Sequence, residues 1–125
     1  MDTFEELEAW KAGRELRISV SKLVKKFPDE EKYRLKDQMI RSSRSICANI
    51  AEGFGRFHFQ ENVQFCRQAR GSLSETLEHL LCALDERVID QDAFDANNKL
   101  IRHCWKVLNG YIAYLKKAAA NAKNT

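Results

Sequence analysis

The stretch Arg41-Ser-Ser-Arg-Ser-Ile-Cys-Ala-Asn-Ile-Ala-Glu-Gly-Phe-Gly-Arg-Phe57 carries two patterns at once. Ile46 and Ile50, four apart, belong on the buried face of a helix. Arg41, Ser45, Asn49 and Glu52 follow helical steps of their own, so they line a polar stripe beside that face. Gln38 extends the stripe backwards by one turn. Gly53 and Gly55 then mark the helix end, where left-handed backbone geometry is expected. The stretch therefore predicts an amphipathic helix with one continuous polar stripe beside its apolar face.

On the N-terminal side, Phe4, Leu7, Trp10, Leu16, Val20, Leu23, Val24 and Phe27 recur near helical spacing. Thr3 and Glu6 suggest a capping box at the start. Pro28 disfavours helix at Phe27 and stops the segment. The second helix reads through Leu35, Met39, Ser43, Ile46 and Ile50. A third follows Val63, Cys66, Leu73, Leu77, Leu80, Leu81 and Leu84. Asp90 is placed to cap a fourth, whose Phe94, Ile101, Leu108 and Leu115 fall seven apart, as in a bundle seam. One proline and five glycines in 125 residues leave little punctuation, and no β-type alternation competes. The expectation is an all-α, antiparallel up-down-up-down four-helix bundle, oligomeric, over residues 1–119 with a short flexible tail at 120–125.

Charge excludes little and suggests little. The chain has 21 Lys and Arg against 18 Asp and Glu, a net +3, well short of an obvious nucleic-acid binder. The last third is mildly basic, ending in the Lys116–Lys117 segment. The acidic start is not a secretory signal and no window is apolar enough for a membrane span. Cys47, Cys66, Cys82 and Cys104 lack C-x-x-C pairing and read as reduced, buried thiols of a cytoplasmic protein.

Chemistry is sparse. His79 with Cys82 and His103 with Cys104 offer zinc-type donors on two helices, but adjacent helix residues point about 100° apart and seldom share a metal. No metal or cofactor is expected. The serines have no nucleophile elbow, and "EGFGRF" lacks the strand and the G-K-[ST] ending of a phosphate loop; no catalytic residue is assigned. The polar residues of the second and third helices remain. Arg70 lies seven after Val63 and seven before Leu77, a seam position where charge is costly unless paired; Glu52, Glu75 and Asn49 are the candidate partners. Gly71 and Ser72 are small enough to admit a neighbouring helix. The set Gln38, Arg41, Ser45, Asn49, Glu52, Arg70, Ser72 and Glu75 is therefore read as a buried or subunit-interface network, with an exposed ligand-binding stripe and plain solvation as alternatives. Phe54, Phe57 and Phe59 either cap the bundle end, meet a partner or stack on bases.

"FEELEAWKAGREL" (4–16), "FPDEEKYRLKDQMIRSSRSICANIAEGFGR" (27–56) and "ARGSLSETLEHL" (69–80) resemble the four-helix-bundle proteins of the 23S rRNA intervening-sequence family. Gln38, Arg41, Ser45-Ile46, Asn49 to Gly53, Arg56, Arg70 to Leu73 and Glu75 stand where that family's pattern has them. His58-Phe59 departs from it after the Gly-Arg pair, and Cys47 occupies a position that is often small or proline-like. The resemblance implies a left-handed bacterial bundle assembling as a homo-oligomer, a ring-shaped homopentamer in relatives, without established enzymatic activity. A related accessory protein of diversity-generating retroelements binds nucleic acid and a reverse transcriptase. On that basis the expected partners are the chain itself, RNA or DNA, and a nucleic-acid-processing protein. The contacts expected are Arg41, Arg44, Arg56, Lys116 and Lys117. A protein-interaction scaffold with no nucleic-acid binding is the competing class.

Overall fold

The computed structural model describes residues 2–123, which form four α-helices and no strand. Helix α1 spans Glu8–Val24, α2 Asp37–Phe54, α3 Phe59–Asp85 and α4 Gln91–Lys123. They form a four-helix bundle in which α1 packs on α2 and α4, and α3 packs on α2 and α4. Each helix contributes one stripe to a common core: Leu16, Val20 and Val24; Met39, Ile46 and Ile50; Cys66, Leu73 and Leu80; Ile101, Cys104, Leu108 and Leu115. These steps of three, four and seven are the periodicity of one buried helix face.

Several local expectations are corrected. Thr3 caps only a short 3₁₀ turn at Phe4–Glu6, accepting from the Glu5 amide at 3.3 Å; Leu7 is extended, so α1 starts one turn later and no Glu6 capping box forms. The Pro28 break leads through a 3₁₀ turn at Asp29–Glu31 and a π-type turn at Lys32–Lys36 before α2 begins. Gly53 and Gly55 do not adopt left-handed geometry. Gly55 has φ −73°, and Gly53 is buried within α2, where an added Cβ would stand 2.6 Å from Asn62 Oδ1 and 2.9 Å from Phe65 Cβ. Its smallness serves the close approach of α3. By contrast, a Cβ on Gly71 would meet nothing within 4 Å, so Gly71 admits no neighbour.

The α3 seam also shifts. Ala69, Thr76 and Ala83 are buried, whereas Leu81 is exposed and Arg70 only half-buried. The buried set is itself spaced in sevens, Asn62, Ala69, Thr76 and Ala83 beside Cys66, Leu73 and Leu80, so the seam is framed on Asn62 rather than Val63. That one-residue offset puts Ala69 against the core and leaves Arg70 at the margin. Helix α4 continues to Lys123 through the region read as a tail, consistent with three consecutive alanines, the best helix formers. Residues 124 and 125 lie outside the described residues. No described helix is long and apolar enough to cross a membrane.

Candidate functional site

Helices α2 and α3 meet along a polar seam. Thr76 Oγ1 lies 2.8 Å from Ser42 Oγ and 2.8 Å from the Ser72 carbonyl oxygen. The Ser72 hydroxyl donates to Ser45 Oγ at 2.9 Å, and Asn49 Nδ2 donates to the Ser45 carbonyl and hydroxyl oxygens at 2.9 and 3.0 Å. Ser42 reaches back to the Met39 carbonyl at 3.3 Å. Small hydroxyl side chains let the helices approach while giving each buried polar atom a partner, which removes the cost of burying it. Among the described residues no buried side-chain nitrogen or oxygen is left without a partner.

Outside this ladder the seam opens into a groove of about 710 Å³. Gln38, Arg41, Arg44 and Ser45 line it from α2, and Ser72, Glu75 and His79 from α3. His79 Nε2 stands 3.9 Å from Glu75 Oε2. Among the described residues, Arg41 and Arg44 form no ion pair. Five members of the set read from the sequence (Gln38, Arg41, Ser45, Ser72 and Glu75) thus share one groove, joined by Arg44, with Asn49 one turn away.

The remaining members go elsewhere. Glu52 accepts from Arg56 at 2.7 Å, and Arg56 also lies 3.9 Å from Glu61 and stacks over the Phe65 ring at 4.8 Å. Its guanidinium is therefore engaged by two carboxylates and a ring within the chain. Arg70 donates to Asn109 Oδ1 at 3.0 Å across α3 and α4, not to Glu52, Glu75 or Asn49. It sits at the seam's margin, where a neutral acceptor suffices. Lys116 lines a second groove between α3 and α4, while Lys117 borders Phe59 and Tyr114. Phe54 packs on the core as a cap; Phe57 is 92% exposed and Phe59 41%. The α3–α4 groove also draws in Arg67 and Lys123, which sequence reading missed. Their signal was available as matching steps of three and four from Gln60 and Lys116.

Burial pushes the Cys66 thiol up to about 11, and burial with nearby Cys47 pushes Cys104 up to about 12. That is the reverse of an activated nucleophile. The seam serines bond to one another and to carbonyls rather than to a histidine. His79 lies in the α2–α3 groove, whereas the Cys82 thiol donates to Glu78 at 3.7 Å. No group of three His, Cys, Asp or Glu suited to a metal occurs among the described residues. Two guanidinium groups beside hydroxyls and an amide form a donor-rich surface suited to an anion.

The fold and seam define an all-helical bundle held by a hydroxyl-rich α2–α3 contact. The 23S rRNA-intervening sequence protein family matches residues 5–110, so the chain belongs to that family. A crystal structure of a protein of unknown function from the S23 ribosomal protein family of Bacteroides thetaiotaomicron VPI-5482 has the same fold. Its TM-score is 0.77 at 22% identity, over 83% of this chain and 97% of that one. A search of curated proteins gave no match.

Proposed function

We propose that this chain is a non-enzymatic, cytoplasmic bundle protein that self-associates, as a homopentamer by family resemblance, and binds RNA or DNA through its basic surface. The up-down-up-down arrangement is part of this reading. Pairings of Ser42 with Thr76, Ser45 with Ser72 and Gly53 with Asn62 run in opposite senses along α2 and α3, which supports it.

The observation that carries the binding proposal is the placement of Arg41 and Arg44, without ion-pair partners among the described residues, in the donor-rich α2–α3 groove. Lys116 and Lys117 add charge from α4; Arg56, held by Glu52 and Glu61, is dropped from the contact set. Each chain has only +3 net charge, but a five-membered ring multiplies it about fivefold and presents every groove repeatedly. Multivalent phosphate contact then needs no strong site on one subunit. Binding of labelled RNA should fall steeply as salt rises from about 50 to about 200 mM, and Arg41→Gln with Arg44→Gln should weaken it. Affinity indifferent to salt would refute the mechanism.

A protein-interaction scaffold is the second reading, favoured by Phe57 at 92% and Tyr114 at 62% exposure. Failure to bind RNA or DNA at low salt, together with a defined protein partner whose affinity drops on Phe57→Ser, would select it.

A further inference from the structure

We infer that the groove between α3 and α4 is a second, separate binding site for a chain of phosphates. It is built from two facing stripes with the same spacing: Gln60, Val63, Gln64 and Arg67 on α3, and Lys116, Ala119, Ala120 and Lys123 on α4. Steps of three, one and three put each set on one helix face. Val63 is buried at 6% exposure and supplies an apolar floor, while the two alanines leave a groove of about 390 Å³.

Its walls are electrostatically one-sided. Arg67, Lys116 and Lys123 form no ion pair among the described residues. No Asp or Glu occurs between residues 62 and 74 of α3 or between 96 and 123 of α4. The α2–α3 groove, by contrast, contains Glu75. An acid-free trough with three cations concentrates anions, and the Gln60 and Gln64 amides can donate to phosphate oxygens. Lys116 and Lys123 are seven residues apart, about 10 Å along α4 at ~1.5 Å per residue. That separation lets the two lysines meet different phosphates of one polymer, so the groove matches a run of phosphates better than a single one. The chemistry of its cations is common to a nucleic-acid backbone and to linear polyphosphate.

The inference rests on the chain being a binder of phosphate polymers, but its groove is not the α2–α3 one and shares only Lys116 with the contacts proposed above. Its test compares wild type, the triple variant Arg67→Gln/Lys116→Gln/Lys123→Gln, and the pair Arg41→Gln/Arg44→Gln. Each is titrated into a fluorescein-labelled oligouridylate and, separately, labelled linear polyphosphate. All five positions are exposed helix surface, and urea midpoints check that the folds are equal. The triple variant should bind oligouridylate about tenfold more weakly, with a salt slope smaller by about two, at ~0.7 per lost single-strand contact. Loss of polyphosphate binding alone, with RNA ignored by wild type, would support this groove with polyphosphate as its source while removing the nucleic-acid reading. If wild type binds RNA and the triple variant matches it in affinity and slope, the inference is overturned and the α2–α3 proposal stands. If wild type binds neither probe, both fall.

Discussion

Helix α3 has two flanks, and they use polar residues in opposite ways. Toward α2, the Thr76, Ser72, Ser42, Ser45 and Asn49 side chains satisfy one another across the seam. Toward the C-terminal part of α4, Arg67, Lys116 and Lys123 face a groove with no carboxylate. Both flanks look simply hydrophilic in the sequence. What separates them is partnership: groups that complete each other hold the fold, and groups left incomplete within the chain are available to a ligand. The outer α2–α3 groove lies between these cases, since Arg41 and Arg44 form no ion pair among the described residues but Glu75 and His79 stand nearby.

The largest effect that can break this contrast comes from the tight end of the α2–α3 contact. Gly53→Ala forces a Cβ to within 2.6 Å of Asn62 Oδ1 and 2.9 Å of Phe65 Cβ, so urea denaturation should show a loss of about 1–3 kcal/mol. Gly71→Ala meets nothing and should gain about 0.5–1 kcal/mol from helix propensity. Equal responses at the two glycines would contradict the assignment of Gly53 to helix approach. Next in size is Thr76→Val, which keeps the shape but removes the hydroxyl from Ser42 and the Ser72 carbonyl, at about 1–2 kcal/mol. A surface change on the other flank, Arg67→Gln, should stay within about 0.5 kcal/mol while altering only ligand binding.

The core thiols give a pH test that ignores both grooves. Cys66 is raised from an ordinary 9.0 to about 11 and Cys104 to about 12, both chiefly by burial. The folded state therefore holds these protons more tightly than the unfolded chain. Their contribution is fully present below pH 9.0 and is lost as pH rises through the folded values. Urea midpoints should fall between pH 9 and 11, and the fall should be shallower in Cys104→Ala than in wild type. Parallel declines would show that other groups dominate.

Much of the fold was legible because it depends on long apolar periodicities. Ile46 and Ile50, or Ile101, Leu108 and Leu115, have one sensible environment, and the chain supplies no competing strand pattern. Within the site, Gln38, Arg41 and Ser45 could be grouped from helical spacing, since they lie on one helix. Relations between helices were harder. Whether Arg70 meets Glu75 or Asn109 depends on how α3 is rotated in the bundle, and Asn62 and Val63 are adjacent buried starting points whose seven-residue frames differ by one position. Gly53 was read as a terminator because the sequence marks a small residue near a helix end without saying whether backbone angle or space demands it. Arg67 was missed because the fourth helix was read as ending at residue 119, so the matching spacing of Gln60 to Arg67 and Lys116 to Lys123 was not set face to face.

The central claim is that a weakly basic bundle becomes a phosphate-polymer binder by assembling copies of itself. Multi-angle light scattering of the purified chain, with and without RNA, tests this most directly. The account predicts a discrete oligomer well above the 14.5 kDa chain mass, five-membered by family resemblance, that gains RNA mass at low salt and loses it at moderate salt. A 14.5 kDa monomer whose mass does not change on adding RNA would contradict it.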